Sequence, residues 1–140
     1  MSKENKVIAL RLIEEGFNAG NLHVFDELVA DSFVNHNPGF GLPPTLDGWK
    51  QSAAGMRAAF PDMHVHVEDQ IAEGDLVVGR FTAHGTHQGE LMGIPATGKG
   101  VTVGGIYILR FAGGKIVERW EEADFMGMMV QLGVIPPPGG

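Results

Sequence analysis

Val101-Thr102-Val103-Gly104-Gly105-Ile106-Tyr107-Ile108-Leu109-Arg110-Phe111 leads through Ala112-Gly113-Gly114-Lys115 into Ile116-Val117-Glu118-Arg119-Trp120-Glu121-Glu122-Ala123-Asp124. Both flanks are rich in β-branched and aromatic residues, and a Gly-Gly pair sits between them, which predicts a long β-hairpin. Gly104 and Gly105 lie inside the first strand. Glycines there mark a bulge or a close backbone approach, so the hairpin is expected to bend sharply. A bent sheet has a hollow side that other elements must fill.

Those elements stand upstream. Val7, Leu10, Leu12, Ile13 and Phe17 recur at helical spacing between charges, which predicts an amphipathic helix over 4–19. Asn18-Ala19-Gly20-Asn21 stops it and caps a short second helix over 22–28. Phe33-Val34-Asn35-His36-Asn37-Pro38 reads as a short strand ended by a Gly/Pro-rich loop. Asp47 can open a third helix with Trp49, Ala53, Met56, Ala59 and Phe60 on its apolar side, and Pro61 ends it. Met63-His64-Val65-His66-Val67 then alternates, Glu73-Gly74-Asp75 turns, and 76–84 forms another strand. A glycine-rich loop over 87–100 precedes the hairpin, and 125–132 reads as a closing helical turn. Helices first and an antiparallel meander second is the α+β pattern, here a strongly bent sheet wrapped around N-terminal helices and one central pocket. No repeat or linker interrupts it. Residues 1–135 are expected as one domain, with 136–140 a flexible Pro/Gly tail.

The 140 residues suffice for one hydrophobic core. A net charge of −7 argues against a nucleic-acid partner, which needs a basic patch. No stretch approaches the roughly 20 apolar residues that span a bilayer, and the charged N-terminus has no signal core. A cytoplasmic protein with no membrane partner is expected. The chain has no cysteine, which removes disulfides, thiol catalysis and thiolate metal sites together. Gly98-Lys99-Gly100 lacks the P-loop frame, so no nucleotide is implied. His64 and His66 have the i, i+2 spacing of a zinc pair but no evident third ligand, and no metal is expected.

Four stretches together resemble the SnoaL-like polyketide-cyclase branch of the NTF2-like superfamily. They are Phe33-Val34-Asn35-His36-Asn37-Pro38; Gly85-Thr86-His87-Gln88-Gly89 with Gly93-Ile94-Pro95-Ala96-Thr97-Gly98-Lys99; Gly113-Gly114-Lys115-Ile116-Val117-Glu118-Arg119-Trp120; and Asp124 through Gln131-Leu132-Gly133. The resemblance implies the NTF2-like cone fold and a reaction that closes a polyketide ring by intramolecular aldol condensation, with no metal or organic cofactor. It also implies a general acid/base aspartate at the end of the last strand, where Asp124 stands, and a histidine at the pocket rim, where His36 stands.

The residues themselves leave two readings open at each position. Asp124 follows Glu118, Trp120 and Glu122 at period two, so all four should share a strand face. Beside Phe125 and Met126, desolvation would disfavour its anion and suit it to proton transfer. Asp followed by Phe-Met-Gly is equally a helix N-cap. His87, between glycines, is placed to polarise a carbonyl or steady an enolate, or else to hydrogen-bond the backbone of its own loop. His36 is a catalytic assistant or the cap of a turn. Arg80 and Arg110 need carboxylate partners, with Glu118, Glu122 and Asp124 at hand, and either orient substrate or tie strands together. Trp49, Met56, Phe60, Tyr107, Arg110, Trp120 and Phe125 are the expected substrate-binding set, because in a cone the inner core is also the pocket wall.

The expected function is a cofactor-independent acid/base enzyme on a small apolar carbonyl compound, with Asp124 shuttling the proton and His87 or His36 assisting. The alternatives are a non-catalytic module that binds an apolar metabolite, and an epoxide-hydrolase-like hydrolase in the same pocket. Strand alternation puts Val65, Val67 and Val117 on sheet faces that would otherwise stay wet, so a homodimer through the sheet is expected.

Overall fold

The structure is a computed structural model that describes residues 2–39 and 41–137. α1 (Ser2–Arg11) continues without a break into a wider π-helical stretch, Leu12–Asn18. The backbone N–H of Ala19 reaches back five residues to the Glu14 carbonyl at 3.0 Å. The single helix expected over 4–19 is therefore two helical forms in series, and such widened turns are frequent at functional sites. α2 (His23–Leu28) runs straight into β1 (Val29–Asn35). That strand begins four residues before the expected one, since Ala30-Asp31-Ser32 hides its start from any alternation pattern.

α3 spans Leu46–Ala59 and is capped by Thr45, whose hydroxyl accepts from the Gly48 N–H at 3.2 Å, so Thr45 rather than Asp47 opens the helix. β2 (His64–Glu73), β3 (Leu76–Thr86), β4 (Gly100–Ala112) and β5 (Lys115–Ala123) follow. The sheet order is β1-β5-β4-β3-β2. All pairs are antiparallel except β1–β5, which is parallel, a departure from the wholly antiparallel sheet expected. Gly113 and Gly114 both take positive φ, as the tight hairpin turn between β4 and β5 requires.

The helices lie in the hollow of the bent sheet. Leu12, Phe25, Phe33, Trp49, Tyr107 and Leu109 belong to the main core. Trp49 sits at its centre, stacked on Phe33 at 4.9 Å and edge-on to Phe25 at 5.2 Å. A second cluster, including Phe60, Met63, Val101, Val103, Met128 and Leu132, closes the other end. α4 (Phe125–Leu132) covers it, ended by Gly133 at φ +80°. Gln131 fastens α4 to β4 by accepting from the Thr102 N–H and donating to its carbonyl, at 2.8 and 2.9 Å. Of the expected tail, residues 138–140 lie outside the described residues, while Pro136 and Pro137 are exposed and carry no regular structure. Among the described residues no helix is long and apolar enough to cross a membrane.

Candidate functional site

A cavity of about 70 Å³ lies between the π-helical stretch, α3 and the inner face of the sheet. Leu12, Ile13 and Phe17 form its helical wall, Trp49 one end, and Val65, Phe81 and Leu109 its apolar floor. Three polar side chains also line it: Tyr107, Arg119 and Glu121.

The sheet register explains why these three meet. Gln70, Gly79, Tyr107 and Glu121 are successive partners across β2, β3, β4 and β5, a single row on the inner face. Arg119 points the same way as Glu121 because it stands two residues before it on β5. Its guanidinium is 2.8 Å from the Glu121 carboxylate, donates to Asn35 Oδ1 at 3.1 Å and to the Asn37 carbonyl at 3.2 Å, and lies 5.2 Å from the Trp49 ring centre. The Asn37 side chain in turn accepts from the Glu121 N–H at 2.8 Å. The Glu121 side chain is thus paired with Arg119 at the edge of a largely apolar hollow. The indole N–H of Trp49 is buried with no hydrogen-bond partner among the described residues.

Tyr107 is the only tyrosine of the chain. It is 5% exposed, and burial pushes its hydroxyl up to about 12. The phenol therefore remains a neutral donor at physiological pH, with its O–H directed to Gln70 Oε1 at 3.3 Å. The neutral form is favoured in the folded state, so the associated stability is present below the unfolded value of about 10 and is lost as pH rises towards 12. Phenolate absorbance should accordingly develop near pH 12, and Tyr107→Phe should be less destabilised than the parent between pH 10 and 12. Equal alkaline losses in the two proteins would show that the phenol is not buried.

The structure scatters the residues expected at the site. Trp49 and Tyr107 line the cavity. Met56 and Phe60 instead pack in and against the second cluster, under α4. Asp124 is exposed and caps α4, accepting from the Gly127 N–H at 2.8 Å, so the cap geometry is the one observed. Phe125, 49% exposed, starts that helix and does not wall the cavity. His87 is fully buried away from it: Nδ1 accepts from the Thr97 N–H at 3.2 Å, which leaves the hydrogen on Nε2 without a partner. Its backbone N–H and C=O bond Lys99 and Gly98, so the residue pins its own loop.

His36, Arg110 and Trp120 gather on the opposite, outer face. His36 stacks on Trp120 at 4.7 Å and bonds Glu118 at 2.8 Å; Arg110 lies 5.8 Å from the Trp120 ring centre and pairs with Glu118 and Asp75. Arg80 pairs with Asp69 on the same face. These arginines tie strands together at the surface. His64 and His66 are also outward and exposed, and among the described residues no three His, Asp or Glu converge as a metal site would require. Val65 and Val67, expected on a sheet surface, point into the core instead.

The residues missed were Arg119 and Glu121, with Asn35 and Gln70 behind them. Their faces depend on a bulge. Arg110 pairs with Glu118 but Phe111 pairs with Ile116, leaving Val117 as an extra residue on β5. That residue moves Arg119 and Glu121 to the inner face and sends Glu118, Trp120 and Glu122 outward.

The chain matches the model of the SnoaL-like polyketide cyclase family over residues 7–132. It is 28% identical to the aklanonic acid methyl ester cyclase DauD of Streptomyces sp. (strain C5), over 89% of this chain and 79% of that one. It is also 28% identical to the nogalonic acid methyl ester cyclase of Streptomyces nogalater, over 84% and 89% of the two chains. Among solved structures, wild-type IdmH of Streptomyces antibioticus is 36% identical with a TM-score of 0.81, over 92% of this chain and 98% of its own.

Proposed function

Because the chain belongs to the SnoaL-like polyketide cyclase family, we propose that it closes a ring in an apolar polyketide-type carbonyl compound by intramolecular aldol addition, with Glu121 as the proton shuttle. The observation that supports this reading is the trio on the inner face: a carboxylate, an arginine and a neutral phenol around one apolar cavity.

The chemistry follows from what each group can do. The Glu121 carboxylate takes a proton from the carbon next to a carbonyl, the Arg119 guanidinium beside it meets the enolate's negative oxygen, and the Tyr107 hydroxyl at the other end of the cavity polarises the second carbonyl. The enolate carbon then bonds to a second carbonyl carbon of the same molecule. The resulting alkoxide recovers the proton from Glu121. One C–C bond forms, no group leaves and no electrons are exchanged with another molecule, so the proton shuttle and two donors balance the reaction without a cofactor. A cavity of about 70 Å³ is below the roughly 300–1,000 Å³ of sites for drug-sized ligands, so a fused-ring substrate enters only when its walls part.

The test uses the compound named in the curated relatives. Incubated with aklanonic acid methyl ester, the protein should convert it to a product of unchanged mass and shifted absorbance. Binding without conversion would favour the non-catalytic module; release of methanol from the ester would favour a hydrolase.

We propose further that the outer sheet face joins two copies of the chain. Ile71, Ile106 and Val34 are 68%, 48% and 42% exposed there, beside half-buried Val78, Ile108 and Trp120. An apolar face of this kind on a folded chain marks an interaction surface. Sedimentation should give a dimer at micromolar concentration, and Ile106→Lys a monomer. A monomeric parent protein would sink the idea.

A further inference from the structure

The inner faces of β3 and β4 exchange rings and glycines. Gly79 on β3 is the register partner of Tyr107 on β4, and Phe81 on β3 is the partner of Gly105 on β4. A Cβ built on Gly79 would overlap the Tyr107 phenol, and one built on Gly105 would meet the Phe81 ring at 2.5 Å. Each ring therefore lies down on the bare backbone of the opposite strand, and the two stack at 6.2 Å between centroids and 28° between planes. Both rings line the cavity. Glycine inside a strand weakens it, and a ring lying across the gap offsets that weakness. Here the same arrangement has a second consequence: two rings that would otherwise stand up from the sheet leave the space above it free.

The direction of the tyrosine matters as well. In the row Gln70–Gly79–Tyr107–Glu121 the phenol crosses over Gly79 and its hydroxyl reaches Gln70, on the strand farthest from the carboxylate. The base and the neutral donor thus stand at the two ends of one flat aromatic floor.

Taking the cavity to be the substrate site proposed above, we propose that Gly79 and Gly105 are its specificity-determining positions. They keep the Phe81–Tyr107 floor flat, which selects planar, ring-bearing carbonyl compounds that stack on it and sets how many fused rings fit. Gln70 is a positioning residue: by accepting the Tyr107 O–H it holds the phenol down over Gly79, and a substrate carbonyl oxygen at that end accepts the same O–H in its place. A side chain at 79 lifts the Tyr107 ring into a cavity of only about 70 Å³, and one at 105 displaces the Phe81 ring and presses on the Glu122 carbonyl of β5.

The test reads binding rather than turnover. The chain has two tryptophans, and Trp120→Phe on the outer face leaves Trp49, in the cavity wall, as the sole tryptophan, excited selectively at the red edge of its absorption. Quenching of Trp49 is titrated with juglone, which has two rings, with 1,8-dihydroxyanthraquinone, which has three, and with anthracene, which lacks oxygen. In this background Gly79→Ala and Gly105→Ala should each weaken the three-ring quinone at least about ten-fold and juglone less. Tyr107→Ala added to Gly79→Ala should recover only part of the affinity for the larger probe, since it clears the lifted ring but removes half of the floor. Gln70→Leu should reduce the preference for 1,8-dihydroxyanthraquinone over anthracene and move the ring carbon NMR signals of the single tyrosine. If Gly79→Ala does not fold, Tyr107→Ala alone takes its place and must lose affinity for the three-ring probe, because it removes half of the stacking floor; unchanged affinity overturns the inference. Glycine-variant curves that superimpose on the parent overturn it while leaving the cavity as a binding site. A parent that binds none of the probes removes the cavity reading and this inference with it.

Discussion

Replacing Glu121 by glutamine should lower turnover of a polyketide methyl ester by roughly 10²–10⁴-fold, whereas Asp124→Asn should leave it within a factor of about two. Glutamine keeps the length and hydrogen-bonding shape of the side chain but takes up no proton, so a loss reports the chemistry rather than the packing. Glu121 lines the cavity with Arg119 at 2.8 Å. Asp124 instead holds the first turn of α4 through the Gly127 N–H, and asparagine caps about as well as aspartate. Asp124→Ala should cost about 1 kcal/mol of stability, the usual loss for a removed N-cap, with turnover per folded molecule unchanged. Substrate consumption in single-turnover mixtures and thermal unfolding of the same samples separate the two effects. Full activity in Glu121→Gln together with loss in Asp124→Asn would return the proton shuttle to the strand end and remove the cavity carboxylate from the mechanism.

How one residue's place was misjudged and another's missed is a matter of register. The hairpin itself is plain in the sequence: β-rich flanks, a Gly-Gly turn, and odd-numbered apolar residues from Val101 to Phe111 that all face inward. Carried across a regular hairpin, that pattern turns Trp120 inward, with Glu118 and Glu122 on the same face. The extra residue at Val117 reverses the face of everything after it. Nothing in Ile116-Val117-Glu118 signals a bulge, because both valine and isoleucine suit either face. The bulge at Glu68 on β2 is equally silent, and it places Gln70 rather than Asp69 on the inner side. Helix positions, strand order along the chain and the aromatic core around Trp49 depend on periodicity and composition, which are local. The site depends on which side of a strand a residue takes after a one-residue slip, which is decided by pairing with a neighbour. His87 illustrates a second limit: its loop has the glycines of a ligand-approach segment, yet they serve a histidine that binds its own backbone and Thr97.

Arg119→Met should destabilise the fold by on the order of 2–3 kcal/mol, lowering Tm by about 6–12 °C for a chain of this size. Arg119 is 8% exposed, and its guanidinium serves Asn35, the Asn37 carbonyl, Glu121 and the Trp49 ring at once. Methionine fills much of the same volume, so the loss comes from what is left behind rather than from an empty space. The Glu121 carboxylate, on a side chain 21% exposed, loses its counter-ion, and Asn35 keeps only the Asn37 N–H as donor to its Oδ1. The estimate lies below that for a fully buried pair because water still reaches Glu121. Arg119→Lys should fall between parent and methionine variant, since an ammonium keeps the charge but not the planar fork that reaches three acceptors beside an indole. The decisive comparison is Arg119→Met with Glu121→Gln in one chain. Removing the stranded charge should recover part of the loss, making the double variant more stable than Arg119→Met alone. Urea midpoints at constant m-value measure this. A double variant that loses the sum of the two single effects would mean that the pair does not act as a unit, and that Arg119 holds the fold through Asn35 and Trp49 alone.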